Sequence, residues 1–117
     1  MMSNSAAVES SACCSPGEVI KDGDVHIVAL LCHLFDDQNR LKIYVSLRAG
    51  EQCVHDICSN VGLPQNLVSH HLAVLRTAGV VKTRRDGHWV CYSVNKVFLA
   101  LIYPYLVRLF DTCRVHG

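Results

Sequence analysis

The sequence has little charge and no hydrophobic run long enough to cross a membrane. Charged residues make up 18% of its 117 residues and hydrophobic residues 50%, a balance that favours a folded core over disorder. The longest apolar stretch, residues 97–110, is 14 residues long and contains Pro104 and Arg108, whereas a membrane span needs about 20 residues. A buried helix is therefore predicted there, and no membrane association.

Secretion signals and enzyme signatures are also missing. Residues 1–16 carry neither a basic flank nor a long apolar run, and the seven cysteines are an odd number that suits no closed set of disulfides. We therefore expect a cytoplasmic protein with reduced thiols. No glycine-rich loop is present to cradle a phosphate, and the spacing supports no Cys–His dyad with an orienting acid, so an enzyme is not expected.

What is present is an uneven distribution of charge. Residues 1–60 hold four Lys or Arg against eight Asp or Glu, whereas residues 61–117 hold seven against two. Such asymmetry is typical of a nucleic-acid-binding face beside an acidic body.

Composition divides the chain into an arm, a domain and a tail. Residues 1–23 are mostly small and polar, which predicts a flexible arm, and this arm carries the adjacent pair Cys13 and Cys14. The patterned region that follows predicts one domain over residues 24–112. Residues 113–117 remain as a short C-terminal tail.

Two helices are predicted in the first half of the domain. Apolar residues recur at helical spacing over residues 25–35, with Asp24 placed to cap the helix. A second helix is predicted over residues 40–49, where Asp36 or Asp37 can serve as the cap.

A helix-turn-helix follows. Residues 54–61 predict a short helix, Gly62 supplies a tight turn, and residues 65–77 predict a second helix whose apolar residues at i, i+4 and i+7 face the core. Short polar side chains and one arginine on its outer face are expected to reach DNA bases or phosphates. These candidates are Gln65, Asn66, Ser69, His70 and Arg76.

The second half of the domain predicts a wing and a dimer. Residues 80–85 and 88–94 are β-prone and flank Asp86-Gly87, a strong hairpin signal. The terminal helix over residues 97–110 is apolar nearly all round, which implies burial against a partner chain in a homodimer. We thus predict a mainly α fold with a β-hairpin wing, a homodimeric winged helix-turn-helix. The wing would grip the DNA backbone or minor groove through Lys82, Arg84, Arg85 and His88.

With this order of elements, the chain resembles the ArsR/SmtB family of metal-responsive winged-helix repressors over about residues 25–110. The resemblance implies a dimer that binds double-stranded operator DNA when metal-free and releases it when a metal binds. The motifs that carry it are residues 37–43, 51–58, 68–81 and 85–88, together with Tyr92.

Within that family, the chain is similar to an arsenite-responsive subgroup. There, two adjacent cysteines of the arm join one cysteine at the head of the third helix of the other subunit, and Cys13, Cys14 and Cys53 match that pattern. Three thiolates suit As(III) or Sb(III), which form pyramidal three-coordinate complexes. Of the arsenic motif Cys-Val-Cys-Asp-Leu-Cys, the chain keeps Cys53 and Cys58 but has His55 in the middle. Cys58 and His55 are therefore candidates for additional ligands.

Other interpretations of the cysteines remain open. A fourth ligand would favour a Cd(II)-, Pb(II)- or Zn(II)-responsive repressor of the same fold. If the Cys13–Cys14 pair or Cys58 is oxidised, the chain would be a thiol redox-sensing repressor. If the chain binds no operator DNA, it would be a protein that only sequesters metalloid. Two further cysteines, Cys32 and Cys91, lie in apolar patterns and are expected in the core.

Overall fold

The computed structural model describes residues 21–111, so Cys13 and Cys14 of the predicted arm and Cys113 of the predicted tail lie outside the described residues. The architecture is mainly helical with a small antiparallel sheet, which confirms the predicted fold class. In chain order, the elements are α1 (Asp22–Leu34), α2 (Gln38–Ser46), a 3-10 turn (Leu47–Ala49), β1 (Gln52–Cys53), α3 (Val54–Val61), α4 (Gln65–Ala78), β2 (Val81–Asp86), β3 (Trp89–Val94) and α5 (Lys96–Phe110).

The N-terminal ends of α2 and α1 show which of the predicted helix caps are correct. The carboxylate of Asp37 accepts the backbone N–H groups of Asn39 and Arg40 at 2.9 and 3.1 Å, so Asp37 rather than Asp36 caps α2. The prediction that Asp24 caps α1 is wrong, because the helix begins at Asp22, three residues before the predicted start at residue 25. Asp24 instead lies in the first turn, 9% exposed, and its carboxylate accepts a hydrogen bond from Arg108 Nε at 3.2 Å. This ion pair ties α1 to α5.

The core is formed by α2, α3 and α4 together with the start of β2. Gly62 ends α3 with a φ of +71°, a left-handed conformation that glycine adopts without strain, and the chain then turns into α4. The side chains that this arrangement buries fully are all aliphatic, and they come from the three helices, from the 3-10 turn and from the residue before β2. The largest are Ile43, Leu47, Ile57, Leu72, Leu75, Val68 and Val80.

The three strands are ordered β1-β3-β2, and their register corrects the predicted hairpin. Asp86 pairs with Trp89, so the two-residue turn is Gly87–His88 rather than Asp86-Gly87. Asp86 therefore ends β2, and His88 lies in the turn itself. On the other edge of β3 runs β1, a strand that the sequence did not predict because two residues are too few to show an alternating pattern.

The outer helices α1 and α5 keep much of their apolar surface exposed. Only Ile102 of α5 is buried, while Leu101 and Tyr103 on either side of it are 64% and 66% exposed. An apolar groove of about 530 Å³ runs between α1 and α5. None of the helices within residues 21–111 could span a lipid bilayer.

Candidate DNA-binding face and thiol site

Helix α4 has one buried face and one polar face. Val68, Leu72 and Leu75 are 0% exposed, in agreement with the predicted apolar stripe. Because these side chains pack against the core, the opposite face of α4 is exposed to solvent. The predicted DNA-contacting residues all lie on that exposed face: Gln65, Asn66, Ser69, His70 and Arg76.

Beneath the polar face, His71 is buried. Its imidazole is 4% exposed, Nε2 lies 3.8 Å from Oδ1 of Asp37, and Nδ1 has no hydrogen-bond partner among the described residues. Burial lowers the pKa of His71, and the Asp37 carboxylate opposes this effect only in part. His71 therefore lies on the buried side of α4, next to Asp37, the cap of α2. His70 faces outward.

The predicted wing is the hairpin of β2 and β3, and one of its cations is already paired. Arg84 donates to Glu51 through Nε at 3.0 Å and through Nη2 at 2.8 Å, a bidentate contact. The pair lowers the pKa of Glu51 and raises that of Arg84. Within the described part of the chain, Lys82 and Arg85 form no ion pair. Arg84 must therefore break its ion pair with Glu51 before it can contact a phosphate. Lys82 and Arg85 have no such ion pair to break among the described residues.

Cys53 lies where strand β1 meets helix α3, half-buried. Its sulfur is 2.7 Å from the sulfur of Cys91, and both residues are free thiols. Cys91 is 6% exposed, as expected for a core residue, yet it packs against Cys53 and not in the main hydrophobic cluster. The hydrogen bond with Cys53 raises the pKa of Cys91 to about 11. Nothing in the sequence signals this contact between residues 38 positions apart.

The other candidate ligands are not gathered around Cys53. His55 is exposed on α3, and Cys58 packs at the edge of the core. In the stretch from residue 21 to 111, no three His, Cys, Asp or Glu side chains are grouped so as to hold a metal. The prediction that Cys32 is buried is wrong, because the buried stripe of α1 passes from Val28 to Leu34 and leaves Cys32 on the outside.

Comparison with known proteins decides the family. The family described as "Bacterial regulatory protein, arsR family" matches residues 37–83. The structure of HlyU from Vibrio cholerae N16961 is 32% identical, with a TM-score of 0.60, over 78% of this chain and 98% of that one. The chain belongs to the arsR family of bacterial regulatory proteins. Members of the arsR family are transcriptional regulators and not enzymes.

Curated arsR-family relatives match the central part of the chain. The HTH-type transcriptional repressor SmtB of Mycobacterium tuberculosis is 41% identical over 54% of this chain and 47% of its own length. The arsenical resistance operon repressor of Escherichia coli is 38% identical over 56% of this chain and 56% of its own length. The chain thus spans about half the length of the curated relatives that it matches.

Proposed function

We propose that this arsR-family protein is a cytoplasmic repressor that binds operator DNA as a homodimer and dissociates when cysteine thiolates bind As(III) or Sb(III). The observation that carries this proposal is the position of Cys53. It lies between strand β1, which pairs with the wing, and helix α3, which packs against the recognition helix α4. A ligand on this thiol would thus be attached where the strand next to the wing meets the helix-turn-helix.

DNA recognition is assigned to α4 and the wing. The exposed face of α4 is short and polar, which suits entry into the major groove, and the basic wing suits the phosphate backbone or minor groove beside it. Base contacts come from α4, and the wing contacts fix its orientation. The proposed contacts are Gln65, Asn66, Ser69, His70 and Arg76 on α4, and Lys82, Arg84, Arg85 and His88 on the wing.

A second copy of the chain is the proposed occupant of the apolar surface on α1 and α5. Leu30, Leu101 and Phe110 are 56%, 64% and 66% exposed, and the groove between the two helices is lined almost entirely by apolar side chains. A monomer rarely leaves so large a contiguous apolar surface in water. A two-fold dimer also presents two α4 helices to two half-sites about one DNA turn apart.

The effector site is proposed to join two subunits. Cys13 and Cys14 of one arm would supply two thiolates, and Cys53 of the partner would supply the third. Cys53 is half-buried and the described residues give it no three-ligand group, so a three-coordinate site needs a ligand from outside this part of the chain. A typical coupling of about 1–3 kcal/mol between effector and operator would weaken DNA binding about 5- to 150-fold.

A Cd(II)-, Pb(II)- or Zn(II)-responsive repressor is the second candidate, and one observation favours it. Cys91 places another sulfur 2.7 Å from Cys53, and four sulfur ligands suit these divalent ions better than a trivalent metalloid.

Titration of the operator-bound protein with each ion in turn tests the proposal. Fluorescence anisotropy of labelled operator should fall with arsenite and antimonite at concentrations where Cd(II), Pb(II) and Zn(II) leave the complex intact. Release by the divalent ions alone would support the second candidate. If hydrogen peroxide releases the DNA and none of the ions does, both candidates are wrong and the protein is a thiol redox sensor.

A further inference from the structure

The second sulfur beside Cys53 belongs to a residue that the sequence assigned only to the core. Cys53 and Cys91 are direct partners in the β1–β3 ladder, and their sulfurs lie 2.7 Å apart. Side chains of directly paired residues point to the same face of a sheet. The strand register therefore holds the two thiols together without any help from the arm.

This pair of thiols lies on the side of the sheet away from the core. Tyr92 and Val94 pack against the hydrophobic core, and successive residues of a strand alternate between faces. Cys91 therefore points to the opposite face, where its partner on β2 is Arg84. Cys53, Cys91 and Arg84 form one row across the three strands, and Glu51 holds the arginine at its end.

We propose that Cys53 and Cys91 form a dithiol site within one subunit that chelates a trivalent arsenic centre bearing two exchangeable oxygens. With an arsenical R–As(OH)2, two As–S bonds form and two As–O bonds break. The two thiol protons leave with the two hydroxide groups as water, and no atom changes oxidation state. The inference rests on the proposed function for the class of ligand, but it requires neither Cys13 nor Cys14.

The other thiols of the described residues do not offer such a pair. Cys32 is exposed on α1, and Cys58 packs at the edge of the core. A dithiol held by strand pairing loses little conformational freedom when it closes on a ligand, which favours chelation over binding by two separate thiols. Inorganic arsenite bound at this pair would keep one oxygen.

The row also connects the ligand to the DNA-binding wing. Arg84 and Glu51 lie close enough to the Cys91 thiol to affect its ionisation. An arsenic centre on the dithiol would therefore occupy the space next to the arginine that the wing offers to DNA.

The test uses phenylarsine oxide, which binds pairs of thiols, and the full chain carrying Cys13→Ser and Cys14→Ser, with a phosphine reductant in place of a dithiol. Native mass spectrometry should find one arsenical per chain, and proteolysis should recover it bridging the peptides of Cys53 and Cys91. Adding Cys91→Ala or Cys53→Ala should abolish binding, whereas Cys32→Ser and Cys58→Ser should leave it intact. Two single variants at the pair keep the test valid if one of them fails to fold.

Absence of bound arsenical in the double-serine protein, or binding that survives Cys91→Ala and Cys53→Ala, overturns the inference. Its failure is separable from that of the proposed function. If arsenite releases the wild-type protein from its operator but phenylarsine oxide does not bind the dithiol, the proposed function is supported and the dithiol site is wrong. If the arsenical bridges Cys53 and Cys91 but no metalloid releases the operator, the dithiol site is supported and the proposed function is wrong.

Discussion

Helices α4 and α5 are similar in length, and α5 is the more apolar in sequence, yet they are buried very differently. Of the 14 residues of α4, Val68, His71, Leu72 and Leu75 are buried, whereas the 15 residues of α5 include only one, Ile102. Packing against α2, α3 and β2 covers one face of α4, while α5 contacts mainly α1. Burial within the chain thus follows the number of neighbouring elements and not apolar content, and the uncovered surface of α5 is what a partner subunit would cover.

The largest effect is expected where α4 meets the core. Leu72 is 0% exposed, so Leu72→Ala should lower the free energy of unfolding by about 2–5 kcal/mol through lost contacts and the cavity left behind. Val97→Ala on α5, where the side chain is 70% exposed, should change it by less than about 0.5 kcal/mol. Urea denaturation of dilute protein measures both. Equal losses would show that the two helices are buried alike.

The second prediction concerns assembly. Leu101→Glu places a charge on the exposed apolar face of α5, and burying that charge in a dimer would be costly, so the protein should sediment as a monomer and lose operator binding. Ala73→Glu on the exposed face of α4 is the matched control. It should remain a dimer while it binds DNA more weakly, because its charge meets phosphate. A dimer that persists in Leu101→Glu would remove α5 from the interface.

The two wing arginines should respond differently because only one is paired. Arg85→Ala should flatten the dependence of log affinity on log salt by about 0.9, the value for one phosphate contact. Glu51→Gln frees Arg84 and should tighten operator binding. Asp56→Asn removes one exposed charge from α3 without touching Arg84 and serves as the control. If Asp56→Asn tightens binding as much as Glu51→Gln, the release of Arg84 plays no part.

The smallest effect is a pH dependence of stability that arises beneath α4. Burial lowers the pKa of His71 in the folded state, while an unfolded histidine titrates near its ordinary pKa of about 6.5. As pH falls below about 6.5, the unfolded chain binds a proton that the folded chain resists, so the free energy of unfolding decreases. The lowered pKa of Asp37 acts in the same direction only near and below its ordinary value of about 3.8.

Urea denaturation at pH 7.5 and pH 5.5 measures this decrease. His71→Leu should flatten it, because no titrating group remains at that position. His55, an exposed histidine of α3, provides the control, and His55→Gln should leave the decrease unchanged. An equal decrease in His71→Leu would place the titrating group elsewhere.

The local elements could be predicted from sequence because their signals are local. The helix over residues 54–61 was predicted to the residue, since Gly62 marks its end. The hairpin turn was misplaced by one residue, because the pairing of Arg84 with Cys91 sets the register and a dipeptide signal does not. The start of α1 was missed because Asp24 has the residue type of a helix cap, whereas its carboxylate pairs with Arg108, 84 residues away, and this contact leaves no local pattern.

The candidate site could be predicted only in part, for the same reason. The polar face of α4 follows from helical periodicity, and the structure places its residues together as expected. The Glu51–Arg84 ion pair and the Cys53–Cys91 contact join residues 33 and 38 positions apart, and both depend on the two-residue strand β1. Neither has a sequence signal, because tertiary pairing alone creates them.

The most direct test of the proposed repressor is arsenite titration of operator-bound protein carrying single cysteine substitutions. Cys53→Ser should stay on the operator at arsenite concentrations that release the wild type, because the effector site loses a thiolate at the junction of β1 and α3. The exposed-cysteine variant Cys32→Ser should be released like the wild type. Release of Cys53→Ser at the wild-type arsenite concentration would show that Cys53 is not a ligand of the effector.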